Sequence, residues 1–391
     1  MKKIFILTFI LAANISYAQI FTYDNLELGL NIDAYYAKNS IGKEVSSQFL
    51  DEANSYLDYY LNSYNYTTPI QDRIRLYNAS LTARYSDEDI KGVATLQYGD
   101  IIEDYYYPYY PYFERNDYIR EANAGFSPVD DLWIEGGIFF QPFSAEPVLP
   151  GKNFLTSTAI QSGVEPFKMN ALKISYEFIN NLSAGFILSE GYSEGQTVEK
   201  NKSFGFMIDY SPMENLNIKI NNLTGNVYHF YIESWDPYID FDSRKVLRFF
   251  NNAIITYDFN ERLQFISGID FIVQEKSNLY VFDKSVSMYS GFISGRYKIN
   301  DKLSISGRME YLNDKHGIFT FAGYFIDYFP YPTGMEAGAF AFGIQYSPKP
   351  QLYARLEMNY MDIYQRLGLN YSSYRNGYSK FTGIASMGLN F

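Results

Sequence analysis

The sequence has no cysteine, only two histidines (His229 and His316) and two tryptophans, and no apolar run long enough to be a membrane helix. The absence of cysteine excludes disulfides, thiolate chemistry and an amino-terminal lipid anchor on cysteine. A membrane helix needs roughly 18 or more apolar residues, and the apolar stretch from Ile4 to Ala13 falls short. If the chain lies in a membrane it must do so as a closed sheet, because hydrocarbon leaves every unpaired backbone polar group unsatisfied. Neither histidine sits in a nucleophile motif, so no enzyme is expected. Positive charge is also scarce, at 32 Lys and Arg against 44 Asp and Glu. That balance argues against nucleic acid, whose binding rests on clustered cations.

The first eighteen residues have Lys2 and Lys3 before the apolar stretch and small residues at Ser16 and Ala18. They read as an export signal cleaved before Gln19, with residues 19–391 forming one domain. Removing Lys2 and Lys3 takes the 32 bases to 30 against 44 acids, a balance of −14. Only residues 19–25 would then precede the first strand, far too few for a plug domain.

Aromatic residues are abundant, with 40 Tyr and 32 Phe. Tyrosine suits the lipid headgroup level, where one end of the ring is apolar and the other wet. Seven times an aromatic residue precedes a short polar turn: after Tyr85, Phe126, Phe178, Tyr210, Tyr257, Tyr297 and Tyr346. The turns read SDED, SPVDD, INN, SPMEN, DFNER, KIND and SPKPQ, residue types that favour tight turns or tolerate a left-handed backbone. Between them the chain alternates apolar and polar. From 351 to 360, Leu352, Ala354, Leu356, Met358 and Tyr360 share one face, and Gln351, Tyr353, Arg355, Glu357 and Asn359 the other. Period two means strands, but it does not say which face meets lipid or water.

The pattern predicts sixteen strands: 26–36, 74–85, 91–100, 119–127, 132–141, 169–179, 182–191, 202–211, 215–224, 248–259, 262–273, 286–299, 302–312, 335–347, 351–361 and 380–391. Segments of about 9 to 11 residues cross a bilayer at the usual tilt. Seven short turns at one end and longer, aromatic connections at the other match an outer-membrane barrel. The expected fold is all-β, a transmembrane antiparallel up-and-down barrel with short periplasmic turns and long extracellular loops. In the first long loop, 37–73, Ser46 to Asn62 could form a surface helix or hide a strand pair.

The polar face of the predicted strands carries Asp33, Arg84, Glu135, Lys173, Glu177, Lys219, Asp270, Arg296, Arg308, Glu310, Arg355 and Glu357, the candidate pore-lining residues. Charges around a polar pore set the field that selects solutes; they could equally pair across strands and stiffen the wall. Loop 142–168 holds four prolines, two glycines and two acids. An inward fold would make it a constriction, with Glu146 and Glu165 as its charge sites. Two aromatic loops, Tyr105 to Phe113 and Phe319 to Tyr331, could stack on sugars or pack on themselves. Asp236, Asp240 and Asp242 lack the glycine and bidentate acid of a dedicated calcium loop, so no metal is expected. The final strand ends in alternating apolar residues up to Phe391, which resembles the carboxy-terminal signal read by outer-membrane assembly machinery.

From Arg120 onward the chain resembles the OmpL-like β-barrel porins, a family of outer-membrane pores. The resemblance is carried by EANAGFSPVDDLWIEGGIFFQPFSAEP, by Asn153, Ser157 and Pro166, and by the hairpin LKISYEFINNLSAGFILSEGY, with LNIDAYY at 30–36 and VATLQYG at 93–99 fitting the first segments. Where the family often has Asn, Gly and Trp, this chain has Glu190, Gly191 and Tyr192. The resemblance implies passive transport and no cofactor. The expected function is a porin in the cell outer membrane, passing small hydrophilic solutes or ions. Its expected partners are outer-membrane lipids, the assembly machinery and those solutes, with homo-oligomerisation left open. Loops with 22 acids and 14 bases lead to an expected mild preference for cations or neutral solutes. A glycan-binding adhesion protein anchored by its barrel, and a barrel lipid hydrolase using His229 or His316, are the alternatives from other classes.

Overall fold

One device builds three of the short turns. Asp87 Oδ1 accepts the backbone N–H of Asp89 at 2.9 Å and of Ile90 at 2.6 Å. Asn260 Oδ1 does the same for Arg262 and Leu263, both at 2.9 Å, and Asn300 Oδ1 for Lys302 at 2.9 Å and Leu303 at 3.0 Å. A short side chain whose oxygen lies three bonds from Cα mimics a turn hydrogen bond, which is why Asp and Asn recur there.

The structure is a computed structural model and describes residues 19–23, 25–43, 71–104, 118–192, 201–232, 241–277, 283–319, 322–326, 329–366 and 375–391. Along the chain run β1 (Gln19–Tyr23), β2 (Leu26–Lys43), β3 (Ile74–Ser86), β4 (Ile90–Tyr98), the short helix α1 (Asp100–Asp104), β5 (Ile119–Val129), β6 (Leu132–Phe140), β7 (Lys168–Ile179), β8 (Leu182–Ser189), β9 (Ser203–Met213), β10 (Leu216–Ile232), β11 (Phe241–Asp258), β12 (Leu263–Gln274), β13 (Val286–Lys298), β14 (Leu303–Asp314), β15 (Ala322–Ile326), β16 (Phe329–Thr333), β17 (Met335–Lys349), β18 (Leu352–Arg366) and β19 (Arg375–Asn390). Strands β2 to β14 and β17 to β19 each pair antiparallel with their neighbours, and β19 pairs with β2. The result is a closed barrel of sixteen strands. Closure removes the sheet edges, leaving no row of unpaired backbone groups for lipid to meet.

The remaining strands are additions. β1 pairs with Leu26–Gly29 of β2, beyond the point where Phe391 exchanges backbone hydrogen bonds with Leu30 at 2.7 and 2.9 Å. β15 and β16 form a separate hairpin within the β14–β17 connection. Strand 91–100 of the sequence reading ends early, at Tyr98. Gly99 leaves the extended region at φ 126°, and a Cβ there would stand 2.6 Å from the Tyr77 carbonyl oxygen. Ser46 to Asn62 lie outside the described residues.

Exposure along the strands assigns the two faces. In β18, Ala354, Leu356, Met358 and Tyr360 are exposed, while Tyr353, Arg355, Glu357 and Asn359 are buried. The apolar face points out and the polar face in, the inverse of a soluble sandwich. Of the seven aromatics that precede turns, Tyr85, Phe126, Phe178, Tyr210, Tyr297 and Tyr346 are exposed, and Tyr257 is half-buried. They ring the turn end of the barrel. On β13, Tyr289 is also exposed, eight residues before Tyr297, about 26 Å away at 3.3 Å per residue. An exposed aromatic at each end of an apolar stretch is the pattern of a strand that crosses an outer membrane at the usual tilt.

Candidate functional site: a loop folded into the barrel

At the end of β6 the chain turns inward. Gln141 adopts φ 40°, its N–H donates to the Phe167 carbonyl at 2.6 Å, and its side-chain oxygen accepts the Val148 N–H at 2.7 Å. These bonds close the neck of a loop of residues 142–167 whose tip crosses the barrel. Its apolar residues supply the driving force. Phe143, Ile160 and Val164 join a cluster with Leu223, Val246, Phe250, Ile272 and Met288 from the inner wall. Val148, Leu149 and Phe167 join Tyr35, Tyr77 and Ile384 on another side.

Polar bonds fix the tip. The Arg308 guanidinium on β14 donates to Glu146 Oε2 at 3.0 Å, to Glu310 Oε1 at 3.2 Å, and to the carbonyls of Ser157 at 2.7 Å and Thr158 at 3.1 Å. Glu310 accepts the Ile160 N–H at 2.6 Å, Glu146 the Ala159 N–H at 3.0 Å, and Glu357 the Thr156 N–H at 2.6 Å. The Arg308 and Glu146 side chains are 0% and 1% exposed. Charges buried to that degree persist only when paired and fully hydrogen-bonded. Arg296 and Arg355 both donate to the Asn153 carbonyl, each at 3.0 Å.

Glu146 and Glu165 therefore do not face open water. Both are buried, and burial pushes both carboxyls above the usual carboxylate range. For Glu146 the Arg308 cation opposes that rise; for Glu165 the neighbouring Asp270 adds to it. Glu165 accepts from the Gln161 side-chain amide at 3.0 Å.

The other candidate residues are spread around the barrel wall. Asp270, Arg308, Glu310, Arg355 and Glu357 are on the inner wall but roofed by the loop, as their burial records; Asp270 accepts from Asn252 at 2.7 Å. Asp33 is buried and accepts the Tyr353 hydroxyl at 2.6 Å. Glu135 takes Lys173 at 2.7 Å and Lys91 at 3.3 Å, and Lys219 pairs with Asp209 at 3.3 Å. Glu177 is half-buried beside the β7–β8 turn and Arg296 is half-buried under the loop. Arg84 lines a recess of about 240 Å³ between the loop and strands β3 to β5, together with Thr82, Thr95, Arg120, Glu121, Phe140, Gln141, Ser144, Pro147, Leu149 and Lys152.

Arg120 and Lys152 escape the sequence reading. Strict alternation places Arg120 on the lipid face with Phe126, but the ladder slips between Thr95↔Glu121 and Leu96↔Ile119. The bulge turns Arg120 inward, where Nη1 donates to Ser80 Oγ at 3.1 Å. A charge on the apolar face of a predicted strand is the signal that could have revealed it. Residues 105–113, Asp236 and Asp240 lie outside the described residues. His316 is half-buried between β14 and β15, and the backbone of His229 pairs with Arg244 across β10 and β11.

Comparison with known proteins supplies the context for this architecture. A family model described as "Putative beta-barrel porin-2, OmpL-like" matches residues 24–391. No curated protein sequence matches the chain. Several solved structures share the fold. OprB of Pseudomonas putida is 12% identical, with 94% of each chain covered and a TM-score of 0.56. The outer membrane channel DcaP of Acinetobacter baumannii is 11% identical over 94% of this chain and 99% of its own, at 0.51. The trimer form of the outer membrane protein OmpT of Vibrio cholerae is 10% identical over 93% of this chain and all of its own, also at 0.51.

Proposed function

The chain belongs to the OmpL-like β-barrel porin-2 family, and from that premise we propose that it is a passive pore for small hydrophilic solutes, narrowed by its own inward loop. The observation that carries this reading is the polar interior of a sixteen-stranded barrel crossed by residues 142–167, with a recess left between loop and wall. Barrels of sixteen to eighteen strands are wide enough for an aqueous channel, and a loop folded across one sets its narrowest section. The reading needs no cofactor and no nucleophile. Residues 1–18 serve as the export signal, Phe391 as part of the assembly signal, and association into homo-oligomers fits the trimer form recorded for one structural neighbour.

Single-channel recording of the refolded protein in planar bilayers tests it. Stable steps whose size scales with salt concentration are expected. Replacing residues 148–163 by a short Gly-Ser link should enlarge each step several-fold. A correctly inserted barrel that stays silent in both forms would overturn the pore.

A further inference from the structure

The recess between the loop and β3–β5 has one dominant sign. Arg84, Arg120 and Lys152 line it, with Glu121 as the one acid among its lining residues and the hydroxyls of Thr82 and Thr95 beside them. Below it on the same wall, Glu135 is shared by Lys91 and Lys173, so that group too carries an excess of positive charge. The acids of the far wall are placed differently. Glu146, Glu310 and Glu357 surround Arg308, bond to the loop backbone and are buried behind it. The loop thus encloses Glu146, Glu310 and Glu357 together with Arg308, and leaves a recess lined by half-exposed Arg84 and Lys152 and by buried Arg120 against the single acid Glu121.

From this arrangement we propose that the recess is an anion passage, admitting small oxyanions such as carboxylates and phosphates in preference to cations. The inference rests on the porin reading above and specifies its solute class. Guanidinium and ammonium groups recognise oxyanions by charge-assisted hydrogen bonds, and of the two threonine hydroxyls, which bond each other at 2.9 Å, one keeps its proton for the same oxygens. The connections of the sequence reading other than 142–168, with 20 acids and 12 bases, pull the other way. Distance decides between them. At about 0.1 M salt a field decays over about 10 Å, so a solute in the recess responds to bases in its walls and far less to loops beyond the barrel mouth. A constriction also focuses field lines through its low-dielectric surroundings.

The test is the reversal potential of single channels under a tenfold potassium chloride gradient, repeated with millimolar inorganic phosphate. Chloride should permeate several-fold better than potassium, and phosphate should reduce the chloride current. Lys152→Glu should cancel or invert the preference and abolish the phosphate effect. Lys152→Gln, at a half-exposed loop position, should weaken both and keeps the test alive if the acidic variant misfolds. Lys284→Gln, at an exposed site on the β12–β13 connection, should change neither. Channels that conduct but favour potassium, or an anion preference indifferent to Lys152, would overturn the inference and leave the pore intact. A silent barrel would remove the pore and the inference with it.

Discussion

Arg308 shows why a single residue can decide the shape of the passage. It holds Glu146 and Glu310 and two loop carbonyls at once, so replacing it leaves buried carboxylates without a counter-charge. Removing one partner of a buried pair costs about 3–5 kcal/mol. Arg308→Met should cost that much in urea-titrated folding into lipid vesicles, while Arg308→Lys, which keeps the charge but loses the planar fork, should cost less. Glu165 makes the loop pH-dependent. Its carboxyl ionises in the ordinary range in an unfolded chain but retains its proton to higher pH in the docked loop, because burial and Asp270 disfavour the anion. The native form then binds more protons, so docking is firmest at and below the ordinary carboxylate range and weakens as pH rises through the interval between the two values. Current noise from loop motion should grow over that rise, and Glu165→Gln should reduce the dependence to the share that Glu146 carries. Nothing in the spacing of the sequence identifies these roles: Glu146 and Arg308 are 162 positions apart, and only closure of the barrel brings them together.

Elements are where sequence and structure agree most closely. The turn residues Asp87, Asn260 and Asn300 are legible because turn chemistry is local. Asn260→Ala should cost about 1 kcal/mol, the worth of a typical hydrogen bond, read as a shift in the urea midpoint. Strand centres match the period-two pattern, whereas upper ends run on. The segment read as 26–36 is β2, Leu26–Lys43, and that read as 215–224 is β10, Leu216–Ile232. Apolar alternation stops where lipid stops, but the hydrogen-bond ladder continues into water, where side-chain polarity no longer has to alternate. The hairpin β15–β16 stands where the sequence predicts an aromatic loop, because its residues follow neither pattern. The bulge that aims Arg120 inward belongs to the same class, a departure from alternation that only strand pairing reveals.

For the molecule as a whole, the outward apolar face is the property that defines its solvent. Ile293 stands midway between Tyr289 and Tyr297 on β13 and is 53% exposed. A base at the bilayer midplane costs about 2–4 kcal/mol, so Ile293→Arg should lose that much in folding into lipid, and Ser294→Arg should not follow the same rule because its side chain faces inward. In a soluble sandwich the order of the two would be reversed.

What the sequence by itself determined is the repeating order of this protein: sixteen alternating segments, seven short turns, aromatic residues at the membrane boundary. These follow from backbone periodicity, turn chemistry and the polarity of lipid, all of which act over a few residues. Tertiary structure alone decided which face looks inward, that residues 142–167 cross the lumen, and that Glu146, Glu310 and Glu357 are enclosed with Arg308 while Arg84, Arg120 and Lys152 line the remaining recess. The physical reason is that a charge acquires its role from the dielectric and partners around it, and here those partners come from strands on opposite sides of a closed barrel.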